Sequence, residues 1–153
     1  MIVVSDTSPL TALMTIEAAD ILPKLFHEII IPEEVRDELL RSHSRLPTWL
    51  RVEKVKDSSQ VTRYTRIVDV GEAEAITLAR ELRADWLLID DRKGRKLATQ
   101  EGVPVIGLLG VVLLAKRTQL IPSARVFLQR LDNEAGMYLA DELKESALKT
   151  VGE

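Results

Sequence analysis

The feature that most limits the fold of this chain is a set of short apolar runs that do not alternate with polar residues. They are Ile2-Val3-Val4, Ile29-Ile30-Ile31, Trp86-Leu87-Leu88-Ile89 and Val103-Pro104-Val105-Ile106. A strand with one face in water alternates apolar and polar side chains, whereas a strand covered on both faces reads as a continuous apolar run. The segments between the runs carry helical spacing, as in Ala75, Ile76, Leu78, Ala79 and Leu82. Strands and helices therefore alternate. That pattern predicts a three-layer α/β/α sandwich around a parallel sheet of four or five strands.

The first strand ends at Ser5-Asp6, and Ser8 and Pro9 read as the cap and first turn of a helix. A second short helix is expected over 16–26, with a break near Pro23. A strand over 28–31 leads into a helix that Pro32 opens and that runs to about Leu40. Residues 41–48 read as a loop, 52–56 as an edge strand, and 57–66 are polar and fix no element. Helices are expected over 72–83, 92–101, 109–117, 122–131 and 135–149. A chain of 153 residues with no repeat and no linker suits one domain over 1–153. Its core is expected over about 1–131, followed by C-terminal helices over about 122–149.

Composition removes several kinds of chemistry. With no Cys, thiol catalysis, disulfides and Cys-based zinc sites are excluded, and the chain suits a reducing cytoplasm. Two His are too few for a His-rich metal site, and His27 and His43 read as incidental. Any bound metal would be a hard cation on carboxylates. The net charge is −3, so bulk attraction to nucleic acid is excluded and a local basic patch is required. The last 22 residues hold six acids and two lysines, which leaves the rest of the chain at +1. The start of the chain has no basic segment, and the apolar run 108–115 is far too short to span a membrane. A soluble, cytoplasmic protein is expected.

In an open parallel sheet, ligands bind beyond the carboxyl ends of the strands. Asp6 follows the first strand, and Asp90 and Asp91 follow the run 86–89. Helical phase adds two more acids. Glu38 lies about 60° from Val35 on the shoulder of an apolar face. Glu72 falls inside the face of Ile76 and Ala79, and Glu74 lies near its edge. A carboxylate on a core-facing stripe is costly unless it is paired or holds a metal. Four acids from four separate segments thus fall at one sheet edge, where they repel one another unless a divalent cation sits among them. Arg92, Lys93, Arg95 and Lys96 follow directly and read as a phosphate clamp, with Lys116 and Arg117 extending it.

The blocks VVSDTSPL, IIIPEEVRDELL, GEAEAITLARELRADWLLIDDRKGRKLA and VPVIGLLGVVLLAKRTQLI resemble those of PIN-domain nucleases. They resemble in particular those of short prokaryotic members related to toxin–antitoxin ribonucleases, over roughly 1–130. The resemblance implies a Mg²⁺- or Mn²⁺-dependent endoribonuclease. Asp6, Glu38 and Glu72 would be its first three metal-binding acids and Asp91, with Asp90 beside it, the fourth. Ser8 would be the hydroxyl that orients the site. Glu72 stands where many relatives have Asp. Ile89 and Lys93-Gly94 replace the usual Thr and acid–aromatic pair. The resemblance further implies an RNA substrate, a small antitoxin partner and a dimer. The alternative is a PIN-like module that binds RNA or protein without cutting.

Overall fold

The computed structural model describes residues 1–153 as five strands and nine helices. In chain order they are β1 (Ile2–Ser5), α1 (Thr7–Thr15), α2 (Ile21–Phe26), β2 (Glu28–Pro32), α3 (Glu33–Ser42) and β3 (Leu50–Glu53). Then come α4 (Ser58–Tyr64), α5 (Val70–Glu81), β4 (Trp86–Leu88), α6 (Arg92–Gln100) and β5 (Val105–Ile106). The chain closes with α7 (Leu108–Arg117), α8 (Ala124–Ala135) and α9 (Asp141–Lys149).

All strand pairs are parallel, in the order β3-β2-β1-β4-β5. The sheet divides the core into two apolar clusters. Val3, Ile29, Ile31 and Leu88 face one layer, which holds α1, α2, α3, α7, α8 and Leu148 of α9. Val4, Ile30, Leu87 and Ile89 face the other, built on α5 with Tyr64 and α6. Adjacent residues of one strand enter opposite clusters because side chains alternate across a strand. Both faces are covered, so the expected three-layer sandwich is present with five strands.

The chain starts in the middle of the sheet, steps outward through β2 to β3, and then returns to the other side of β1 as β4. The order therefore reverses between β1 and β4. A reversal of this kind opens a crevice beyond the carboxyl ends of the two strands. The Asp6 N–H donates to the Leu88 carbonyl at 2.9 Å and locks the two strand ends together there.

Several boundaries differ from expectation. Ser8 does not cap α1, because the helix begins at Thr7 and Asp6 holds the capping position. The edge strand sits at 50–53, two residues before the expected position, in register with Ile29–Pro32. Residues 58–64 form a helix because the Asp57 side chain accepts from the Gln60 N–H and supplies the missing cap. The last helix starts at 141 rather than 135. Gly136 adopts φ +66° and ends α8 in the left-handed conformation that favours glycine. No helix is long and apolar enough to cross a membrane.

The C-terminal helices belong to the core: Leu128, Leu131 and Leu148 are buried in the same cluster as β1. Leu148→Ala should therefore cost about 2–5 kcal/mol of unfolding free energy in urea titration. A loss below about 0.5 kcal/mol would show that α9 is not structurally coupled to the rest.

Candidate active site at the carboxyl edge of the sheet

Three helices begin beside the crevice, and each has an aspartate at its capping position: Asp6 for α1, Asp69 for α5 and Asp91 for α6. Asp69 accepts from the Glu72 N–H at 2.8 Å, and Asp91 accepts from the Gly94 N–H at 2.8 Å. Helix N-termini carry partial positive charge and unpaired N–H groups, so they offset part of the cost of gathering acids.

Two glycines bring the remaining carboxylates close. A Cβ at Gly71 would collide with the Glu38 carboxylate. A Cβ at Gly94 would lie 2.9 Å from Glu72 Oε2 and 2.5 Å from Ile89 Cδ1. Glycine is thus required where α5 meets Glu38 and where α6 meets Glu72. The Thr7 hydroxyl donates to Glu38 Oε2 at 2.6 Å and ties α3 to the start of α1.

The electrostatics show how crowded the cluster is. Asp6 is buried, and that burial raises its pKa to about 7. The Thr7 backbone N–H opposes the shift, and the charges of Asp69, Glu38 and Asp91 add to it. Burial also raises Glu72, to about 9, reinforced by the adjacent Asp69 and Asp91 side chains and by the charge of Asp6. Glu72 Oε2 is buried with no hydrogen-bond partner. A buried carboxylate oxygen without a donor is a costly arrangement that a proton or a cation would relieve.

A protein-family model described as a PIN domain matches residues 2–153. The chain belongs to the PIN-domain family. No curated protein matches it. PIN domains are generally nucleases and typically use divalent metals, and here the acids gather where the PIN sheet reverses its strand order.

The PIN fold sorts the candidate residues. Asp6, Glu38, Glu72 and Asp91 surround the crevice, linked by the contacts and charge effects above. Asp90 turns elsewhere: its Oδ1 accepts from the Leu108 N–H at 2.9 Å, at the start of α7. Adjacent residues at a strand end face opposite ways, which separates it from Asp91. Ser8 is exposed on the first turn of α1, and the hydroxyl that reaches an acid is that of Thr7. Arg95 is not free to bind phosphate, because its guanidinium donates to the Ile89 carbonyl at 3.1 Å beside Asp90. Arg92, Lys93 and Lys96 are exposed. Lys116 and Arg117 lie at the far end of α7, about 12–14 Å from its start, and do not extend the patch. Lys116 pairs with Glu153 and Arg117 bonds Thr150. Glu74 accepts from the Glu34 N–H at 3.2 Å and fastens α5 to α3.

Sequence reasoning missed Thr7 and Asp69. Asp69 stands directly before a helix and three residues before Glu72, which is the spacing of an N-terminal cap with an acid in the first turn. That signal was present in the sequence. The Thr7–Glu38 bond spans 31 residues and had none.

The donor set fits a hard divalent cation in kind: it is all carboxylate, with an orphaned Glu72 oxygen beside Asp91 and Asp69. It is not a preformed cage, since no three of these side chains converge as a closed ligand group. Without a cation, both raised carboxyls favour the folded state while they are protonated. The folded protein then holds protons that the unfolded chain releases above about pH 4. Metal-free stability should fall as pH rises from about 4 to about 7 through Asp6, and on toward about 9 through Glu72. Urea titrations in EDTA across this range should show the decline, and Asp6→Asn should flatten its lower half. A wild-type stability that rises from pH 5 to 8 would contradict the raised values.

Proposed function

We propose that this PIN domain is a metal-dependent endoribonuclease that hydrolyses RNA phosphodiester bonds at the β1–β4 crevice. One observation carries the reading most directly. Glu72 buries an unpartnered carboxylate oxygen against Asp69 and Asp91, beside the buried Asp6. Nothing in the packing of the sheet requires that cost, and a nuclease centre gives it a purpose. Asp6, Glu72 and Asp91 would hold the cation, with Glu38 beside them. Bound there, Mg²⁺ or Mn²⁺ supplies Lewis-acid chemistry for attack of water on a phosphodiester.

The chain's own residues account for the rest. The Thr7 hydroxyl fixes one Glu38 oxygen, and the other packs against Gly71 at the start of α5. Asp69 and Asp91 hold α5 and α6 by their caps, which sets the position of Glu72 between them. With its pKa raised to about 9, the Glu72 carboxyl keeps a proton near neutral pH, which a bound cation would displace. Lys93 and Lys96, exposed on α6, attract the polyanion that the acids alone would repel.

The proposal extends to biological role: the chain is a toxin restrained by a small antitoxin. A partner segment with one Arg and several acids would pair with the carboxylates and cover Arg92, Lys93 and Lys96. Expression of the chain alone should slow growth, and Asp6→Asn should abolish that effect. A second reading, an RNA- or protein-binding module without hydrolysis, draws on the absence of a closed ligand group.

Calorimetric Mn²⁺ titration and cleavage of single-stranded RNA separate the two readings. Asp6→Asn and Glu72→Gln should each lower cleavage by about a hundredfold or more and weaken Mn²⁺ binding. Glu74→Gln, which removes a tether between helices, should keep cleavage within about threefold of wild type. Equal losses at Glu72 and Glu74 would refute the assignment of the site. A wild-type protein that binds no Mn²⁺ and cuts no RNA would leave the binding module as the better account.

A further inference from the structure

Between α6 and the connection from α4 to α5 runs a groove of about 440 Å³, lined by Arg66, Ile67, Lys93, Lys96, Leu97 and Gln100. Its volume falls in the range of ligand-binding clefts, about 300–1,000 Å³. It has three cations and no acid in its lining, in a chain whose net charge is −3. Half of the other cations of the molecule are held in ion pairs, among them Arg80, Lys116, Arg125 and Arg130. Arg66, Lys93 and Lys96 form none. On α6, Lys93, Lys96 and Gln100 recur at helical spacing and form one stripe, while Gly94 and Ala98 turn to the core.

Both walls of the groove lead to the acids. Lys93 is two residues beyond Asp91 on one wall, and Arg66 is three residues before Asp69 on the other. Ile67, next to Arg66 on the same wall, has 55% of its surface exposed, an uncommon degree for a large aliphatic side chain.

We propose that this groove carries the stretch of single-stranded RNA adjoining the phosphodiester at the crevice. Arg66, Lys93 and Lys96 contact successive phosphates, and Ile67 packs against a base or ribose. A strand held by its backbone and one apolar contact is read with little sequence preference. The inference rests on the nuclease reading for the position of the cut, but strand binding itself needs no metal and no cleavage.

The test is fluorescence anisotropy of a labelled single-stranded RNA of about 12 nucleotides with the full chain in EDTA. The variant Arg66→Gln/Lys93→Gln/Lys96→Gln should lose at least about tenfold in affinity at low salt. The slope of log K against log salt concentration should fall by about 2, from about 0.7 per phosphate contact. The matched control Arg45→Gln/Lys54→Gln/Lys149→Gln removes the same charge from other exposed sites and should lose less than about threefold. Ile67→Ser should weaken binding several-fold with the slope unchanged. The proposal is overturned if the two triple variants lose alike, if Ile67→Ser binds as wild type, or if polyglutamate competes as well as RNA. It is also overturned if the wild type binds no RNA at low salt. If the wild type binds in this way but cuts nothing with Mn²⁺, the nuclease reading fails and the groove stands.

Discussion

A parallel sheet buried on both faces leaves only its two ends for chemistry, and the rest of this structure follows from that constraint. The strands must be apolar throughout, so no strand interior can carry a functional carboxylate. The polar residues appear where the chain leaves the sheet. At the carboxyl edge it leaves into helices, and their N-termini bring unpaired N–H groups to the same place. Asp6, Asp69 and Asp91 each stand at the start of a helix. The geometry that covers the sheet thus also gathers the acids and supplies the partial positive charge that makes them tolerable.

That compensation is incomplete. Asp69 and Asp91 receive backbone N–H bonds at 2.8 Å, but Glu72 keeps an oxygen with no donor. Glu72 and Asp6 remain raised to about 9 and about 7, mainly because they are buried and also because they face other carboxylates. Carboxylates perturbed in this way cluster at functional sites. The surroundings are arranged to keep them in place: Gly71 and Gly94 leave no room for a Cβ between the helices and the carboxylates. The Thr7–Glu38 and Glu74–Glu34 bonds hold α3 against α1 and α5.

Much of this was legible in the sequence. The continuous apolar runs gave the sheet type, because burial on both faces is written directly into residue choice. Asp6 and Asp91 could be placed at strand ends from local order alone. Glu72 was found by helical phase, yet the underlying assumption of a single core-facing stripe is too simple. α5 is buried on nearly every side, with Ala73 and Thr77 as enclosed as Ile76, because α3, α4 and α6 pack around it. The helix 58–64 was not legible as such, since a short polar helix depends on its Asp57 cap and on tertiary support.

The sequence by itself determined the layer architecture, the acidic character of the site and the exclusion of thiol or His-rich chemistry. These depend on residue type and local spacing. Tertiary structure decided which neighbours of a given type do different work. Asp90 and Asp91 are identical in chemistry, yet one fastens α7 and the other faces Glu72. Arg95 and Lys96 are adjacent cations, yet one braces a strand end and the other lines an open groove. Ser8 and Thr7 are adjacent hydroxyls, and only Thr7 meets a carboxylate from α3. Each distinction depends on which way a side chain leaves the backbone and on what a distant segment places opposite it. Residue order does not encode that until the sheet brings the segments together.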